Sequence, residues 1–475
     1  MAITQKHIKK SIRSEKIMIS KLLGQFKYLL ANEHFKEVFK GSVVTFGIKI
    51  ITLLIGFFTT WFISKWYGAG GLGQVVLLNS VVGMIMIFTV MGMSDSLVRL
   101  VPEHIAKYSF YSAFLAYKKI LLFVGIISLV VAIVYNLFFV QITEHIFHKS
   151  NLDWLFVLVA PLIFLRSIQS INISMIQAMK QVNVMAFFQL IQPMLFTLFI
   201  ILGTFFYFDK TVPVYAQVIV DVCLFCLSLV TLYFVIKKNH IIKKFRIIRY
   251  SELLSLSLPM MISGVFTSIV FQTDTLMIGM MKTDVDVGIY SVAMKLASLA
   301  SFILLSVNTF AAPKFSELYH MGKREDLEFV AQGFSKLLFI LTLALSIFMI
   351  IFGQWILSFF GEQFVAGYYA LIFILVSWIF NAWSGPVSVM MNMIGLHKEV
   401  QHIYMIAAFV NVGLNVLLIP LFGITGSAVA SMISGIITST FSIIIVYKKE
   451  GFLILYVPNF IKKPMSTYIK AFRNK

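Results

Sequence analysis

The chain has 475 residues, of which 59% are hydrophobic and only 12% charged, with a formal net charge of +19. So little polar surface cannot enclose one apolar core in water, which excludes a water-soluble globule and makes lipid the solvent for most of the molecule. The basic excess is scattered over several membrane-proximal stretches, which makes it weak evidence for nucleic-acid binding.

Residues 1–40 form a basic arm in which Ile17, Ile19, Leu22, Leu23, Phe26 and Leu30 fall on a helical stripe among lysines. No small-residue cleavage site follows, so an interfacial amphipathic helix is expected there instead of a secretory signal. Apolar runs of 18 or more residues then recur at 41–64, 71–98, 115–140, 152–178, 183–207, 212–236, 252–280, 287–311, 332–360, 366–394, 402–421 and 424–447. Roughly 20 apolar residues carry a helix across the hydrocarbon layer. Alternating ten-residue segments are missing, which leaves helices as the spanning element. Lys9, Lys10, Lys16 and their neighbours precede span one, Lys237, Lys238, Lys243, Lys244, Arg246 and Arg249 separate spans six and seven, and Lys448, Lys449, Lys462 and Lys463 follow span twelve. Opposite loops carry single lysines at Lys65, Lys149, Lys210 and Lys282. The asymmetry puts both termini in the cytoplasm.

The two halves of the chain echo each other. "MIQAMKQV" at 175–182 matches "MIGLHKEV" at 393–400, while "GLGQVVLLNSV" and "DVGIYSVAMKL" lay Gly73 on Gly288 at an offset of 215. The same offset lays Arg99 of "SLVRLVPEH" on Lys314 of "AAPKFSELY". Three anchors in one order predict two six-helix halves. An even number of spans returns the chain to its starting side, so the repeats are parallel and substrate is expected between them. The expected architecture is an all-α membrane protein of twelve transmembrane helices in two parallel six-helix lobes. Its domains are the arm 1–40, an N-lobe 41–236, a cytoplasmic linker 237–251, a C-lobe 252–447 and a basic tail 448–475.

"QTDTLMIGMM" from residue 272, "FAAPKFSELYHMGKREDL" from 310 and "NVGLNVLLIPLFGITGSAVASMIS" from 411 resemble the polysaccharide transporter branch of the multidrug/oligosaccharidyl-lipid/polysaccharide flippase superfamily. The resemblance runs from about residue 40 to the end of the spans. It implies a flippase for polyprenyl-diphosphate-linked oligosaccharides, such as O-antigen, lipopolysaccharide, capsule or exopolysaccharide repeat units, working by alternating access in the cytoplasmic membrane. Lipid-linked oligosaccharide and membrane lipids are the expected partners, with polysaccharide polymerase machinery beside them and no nucleic acid.

Such a substrate needs a wet cationic cavity open to lipid, and charges inside spans are costly enough to mark cavities or partners. Lys49, Arg166 and Lys295 are the diphosphate candidates. Arg166 is the sharpest, because a guanidinium grips phosphate bidentately and Gln169 and Ser170 follow on its helical face at i+3 and i+4. Gln169 and Arg99 complete the expected substrate-binding set. Asp221 and Asp274, also within spans, either hold a coupling proton or sodium ion or neutralise one of the cations. Asn79, Gln189, Gln192, Asn308, Asn381, Asn411 and Asn415 supply further polar lining, with Trp378 and Trp383 available to stack on sugars. Pro161, Pro193, Pro259 and Pro386 are expected to kink their helices.

Catalytic readings find little support. Cys223 and Cys226 stand in an apolar span without a histidine or second cysteine pair, and are expected to be two small buried residues. No phosphate-binding loop of the G-x-x-x-x-G-K-[ST] type occurs, so ATP hydrolysis is not expected. The chain reads as a transporter, not an enzyme, with no cofactor. A multidrug exporter of the same superfamily and a membrane scaffold without transport are the alternatives.

Overall fold

The computed structural model describes residues 33–149, 152–237 and 248–455. The arm up to residue 32, linker residues 238–247 and tail residues 456–475 lie outside this description, and with them most of the amphipathic arm expected from the sequence. The described residues form helices and connecting turns, with no strand.

Spans one and two are one continuous element, α1 (Glu33–Val90), folded back at Gly68 (φ 68°, ψ −171°), and α2 (Met93–Lys107) completes span two. Span three is α3 (Phe110–Gln141) and ends in a π turn, Ile142–Ile146. Span four is split into α4 (Asp153–Val157) and α5 (Val159–Ala178), and α6 (Val182–Phe206) and α7 (Val212–Lys237) are spans five and six. The second half repeats the plan with α8 (Tyr250–Met281), α9 (Asp284–His320) and α10 (Arg324–Phe360). Span ten comprises α11 (Tyr368–Ser384) and α12 (Val387–Met393), and α13 (His397–Glu450) holds spans eleven and twelve, folded back at Gly423 (φ 59°). Among the described residues, ten helices are long and apolar enough to cross a membrane. Dividing α1 and α13 at their glycines yields twelve crossings among the described residues. Positive φ costs glycine little and other residues more, which suits glycine to both reversals.

Two of the four expected proline sites are helix breaks. Pro161 follows the break at Leu158, and Pro386 follows Gly385 (φ 74°) between α11 and α12, whereas Pro193 and Pro259 sit inside continuous helices. A proline in the first turn of a helix lacks only an N–H that the helix would leave unpaired anyway.

Leu122, Ile126, Leu129, Ile133 and Leu137 form an exposed stripe down α3, as do Ile347, Ile351 and Trp355 on α10. Facing water, each such side chain would forfeit about 1.5–3 kcal/mol of burial; facing lipid it forfeits nothing comparable. Polar bridges inside the N-lobe join like-directed spans. Thr59 meets Thr197 at 2.5 Å and Tyr67 meets Thr204 at 2.7 Å between spans one and five, and Thr89 meets Ser167 at 2.7 Å between spans two and four. Such hydroxyl pairs satisfy polar atoms that lipid cannot.

The lobes touch through spans one, two, seven and eight. At the end that the pattern of basic loops assigns to the outside, the carbonyl oxygen of Asp284 lies so near Gly73 that a Cβ there would stand 1.8 Å from it, and a Cβ on Gly288 would stand 1.9 Å from the Ala69 oxygen. Lys149, from the turn after span three, forms an ion pair with Asp284 at the start of span eight. Further in, Ser96 Oγ reaches Met260 Sδ at 3.5 Å.

Candidate functional site

Span four carries polar side chains at 166, 169, 170 and 174, a spacing of three to four that gathers them on one face. Arg166, Gln169, Ser170, Ile173 and Ser174 line one cleft of about 290 Å³, joined by Gln192 from α6 and Asp221 from α7. The face expected from helical spacing is therefore the face that meets the cleft.

Arg166 is held from two neighbouring spans. Its Nε and Nη2 donate to Asp221 Oδ2 at 2.9 and 2.5 Å, and Nη2 donates to Asn79 Oδ1 at 2.7 Å. Gln217 donates to the same Asp221 oxygen at 3.2 Å. Three donors thus converge on Oδ2, and Oδ1 accepts none among the described residues. Asp221 is only 2% exposed, and breaking so buried a pair by removing one partner costs about 3–5 kcal/mol. Of the five N–H bonds on the guanidinium, the two on Nη1 have no partner among the described residues. They are available to an anion in the cleft. The edge formed by Nε and Nη2, one of those by which a guanidinium grips phosphate bidentately, is occupied by the carboxylate.

The other candidate cations do not line this cleft. Lys295, on span eight, donates to the Gly56 carbonyl at 2.5 Å and to Thr60 Oγ1, and lies 5.5 Å from the centre of the Phe57 ring. Its ammonium ties the C-lobe to span one. Lys49 is half-buried, without a hydrogen bond or ion pair among the described residues, and Arg99 is exposed on α2.

Asp274 is 2% exposed and enclosed by neutral donors. Asn415 and Asn411 donate to Oδ1 at 2.8 and 3.2 Å, Tyr290 donates to Oδ2 at 2.7 Å, and Ser431 donates to the same oxygen. No described lysine or arginine is bonded to it, so it differs from Asp221 in lacking a counter-charge. Asn415 Oδ1 is buried beside it without a hydrogen-bond partner, an oxygen left for a cation or proton donor.

Sequence reasoning named Asn79, Gln192, Asn411 and Asn415 as polar lining but missed Gln217, Tyr290 and Ser431. The i, i+4 spacing of Gln217 and Asp221 was the one local signal for the first of these. Trp378 packs against the C-lobe core, and Trp383 meets Phe380 edge-on at 6.0 Å. Neither lines the Arg166 cleft. Cys223 is half-buried and Cys226 exposed, which corrects the expectation that both are buried: α7 turns this side outward.

A family model described as polysaccharide biosynthesis protein matches residues 38–319, and a second, MatE, matches residues 259–421. Among solved structures, the lipid II flippase MurJ in an inward closed conformation is similar with a TM-score of 0.69 at 18% identity, covering 86% of this chain and 87% of that one. An inward-facing multidrug resistance MATE family transporter of the MOP superfamily is similar at 0.68 and 16% identity, covering 86% and 98%. A MOP superfamily transporter from Pyrococcus furiosus, whose binding pocket is described as of reverse polarity, is similar at 0.60 and 15% identity, covering 89% and 97%. No curated protein matches the chain in sequence. The structural likenesses establish the fold, and the first family model covers more than half of the sequence. The chain therefore belongs to the polysaccharide biosynthesis protein family, within the multidrug/oligosaccharidyl-lipid/polysaccharide flippase superfamily, as a multi-pass membrane protein.

Proposed function

We propose that this protein carries a polyprenyl-diphosphate-linked oligosaccharide, of the O-antigen, capsule or exopolysaccharide kind, from the inner to the outer leaflet of the cytoplasmic membrane. The observation that carries this reading is Arg166. A guanidinium within a span, lining a polar cleft with two N–H bonds unspent, suits an anionic head group. Gln169, Gln192 and Ser174 beside it offer donors and acceptors to sugar hydroxyls, while the long apolar tail stays in lipid.

In this reading the lobes 41–236 and 252–447 rock about the interface of spans one, two, seven and eight, with both termini cytoplasmic. Lys295, committed to span one while the lobes are closed, meets the substrate as they part; Lys49 and Arg99 offer positive charge along the route from the cytoplasmic side. Asp274 is the coupling-ion candidate, because its carboxylate has donors but no counter-charge. The membrane potential adds about 2.3 kcal/mol per elementary charge per 100 mV, which drives an anionic diphosphate outward from a negative interior. A polymerase that consumes the product outside would draw transport further.

The MatE match over residues 259–421, with a multidrug resistance MATE family transporter among the similar structures, favours multidrug export as a second reading. Flipping of a head-labelled polyprenyl-diphosphate oligosaccharide in proteoliposomes separates the two. Movement that is lost in Arg166→Gln with folding retained supports the flippase and its diphosphate site; no movement of any tested glycan by the unaltered protein turns the assignment to drug export.

A further inference from the structure

A site that grips a diphosphate on one side of a membrane must release it on the other. Arg166 already holds an anion. Its Nε and Nη2 both point at Asp221 Oδ2, the edge that two phosphate oxygens would otherwise take. Asp221 comes from span six, 55 residues away in sequence, and both residues line the same cleft. The carboxylate is nearly buried, and Arg166 is its one cationic partner among the described residues. Asn79 and Gln217 hold the two groups in register without adding charge.

We infer that Asp221 is an internal competitor for the Arg166 guanidinium, an in-built anion that occupies the site when empty, yields its edge to the incoming phosphate and retakes it to expel the product. The inference rests on reading the cleft as a diphosphate site. One cation facing two anions cannot satisfy both, and the displaced carboxylate and the bound phosphate repel each other at short range. Binding is thereby weaker than Arg166 alone would make it, and release faster. The free Nη1 is the point of first contact: a phosphate oxygen binds end-on there before the side edge is surrendered. No bond is made or broken; the exchange is one of partners.

The sign of one substitution separates this from a positioning role. If Asp221 merely aims Arg166, Asp221→Asn weakens anion binding. If it competes, Asp221→Asn keeps an oxygen for Gln217 and Arg166, removes the charge and tightens binding. The probe is farnesyl diphosphate binding to the full-length protein in detergent, with farnesol as the uncharged control, followed by single-turnover flipping of a labelled polyprenyl-diphosphate sugar in proteoliposomes. The expected result is about tenfold tighter diphosphate binding together with slower flipping, and the same direction in Asp221→Ser should the first variant fold poorly. Equal or weaker binding in a folded Asp221 variant, while the unaltered protein binds and Arg166→Gln does not, overturns the competitor role and leaves the diphosphate site standing. If the unaltered protein and Arg166→Gln both treat the diphosphate like farnesol, the reading of the cleft itself fails, and the competitor with it.

Discussion

Gly73 and Gly288, equivalent positions of the two sequence repeats, lie against each other across the lobe interface, where a Cβ on Gly73 would stand 3.0 Å from the Gly288 nitrogen. Residues exchanged by a two-fold relation touch only where its axis passes, so this contact is the one that parallel repeats related by an axis along the membrane normal would make at that axis. Backbone meets backbone there, which small residues alone permit.

A side chain at either glycine should keep the outer ends of the lobes apart. Gly288→Val is expected to cost about 1–3 kcal/mol from overpacking and to open the outer side. A bifunctional thiol reagent long enough to span the Lys149–Asp284 ion pair, applied to cysteines placed at those two positions, should join them in higher yield in the parent than in the valine variant. Equal yields would mean that the crossing tolerates the added bulk.

The Lys149 and Asp284 side chains are 12% and 17% exposed, between the surface regime of under 1 kcal/mol and the buried regime of several. Asp284→Asn should therefore loosen outer closure by about 1–2 kcal/mol, a shift of about tenfold in the ratio of closed to open forms. Distance distributions between spin labels on the two outer ends read this ratio directly. An unchanged distribution would assign closure to the glycine crossing alone.

Lys295 spends its hydrogen bonds on span one in this closed arrangement. Lys295→Met should accordingly leave farnesyl diphosphate binding within about twofold while slowing flipping by about tenfold or more, since a lost charge-assisted bond is worth about 1.5–3 kcal/mol. A matching loss in both would bring Lys295 into the resting binding site.

Asp274 should hold a cation or proton in its neutral cage. A bound sodium ion at 10 to 100 times its Kd stabilises the fold by about 1.4–2.7 kcal/mol. Thermal unfolding of the purified protein in sodium against choline should show that increment, and Asp274→Asn should remove it. If sodium has no effect, a pH dependence of melting that disappears in Asp274→Asn assigns the site to a proton. The absence of both removes Asp274 from coupling.

The amino-acid sequence by itself determined the solvent, the number of crossings and the face of span four on which Arg166, Gln169 and Ser170 meet. These are local quantities: the length of an apolar run against the thickness of a bilayer, and the pitch of a helix. The repeat anchor at Gly73 and Gly288 was legible as well, though not that the two would touch. Only the tertiary structure decided that Asp221 neutralises Arg166, that Asp274 sits among Tyr290, Asn411, Asn415 and Ser431, and that Lys295 reaches span one. The partners of Asp274 on spans eleven and twelve lie 137 to 157 residues away from it. Helical periodicity states which way a side chain points from its own axis, but which helix stands opposite is set by the packing of all twelve. Two carboxylates that look alike in sequence were therefore given opposite environments, one beside a guanidinium and one among neutral donors.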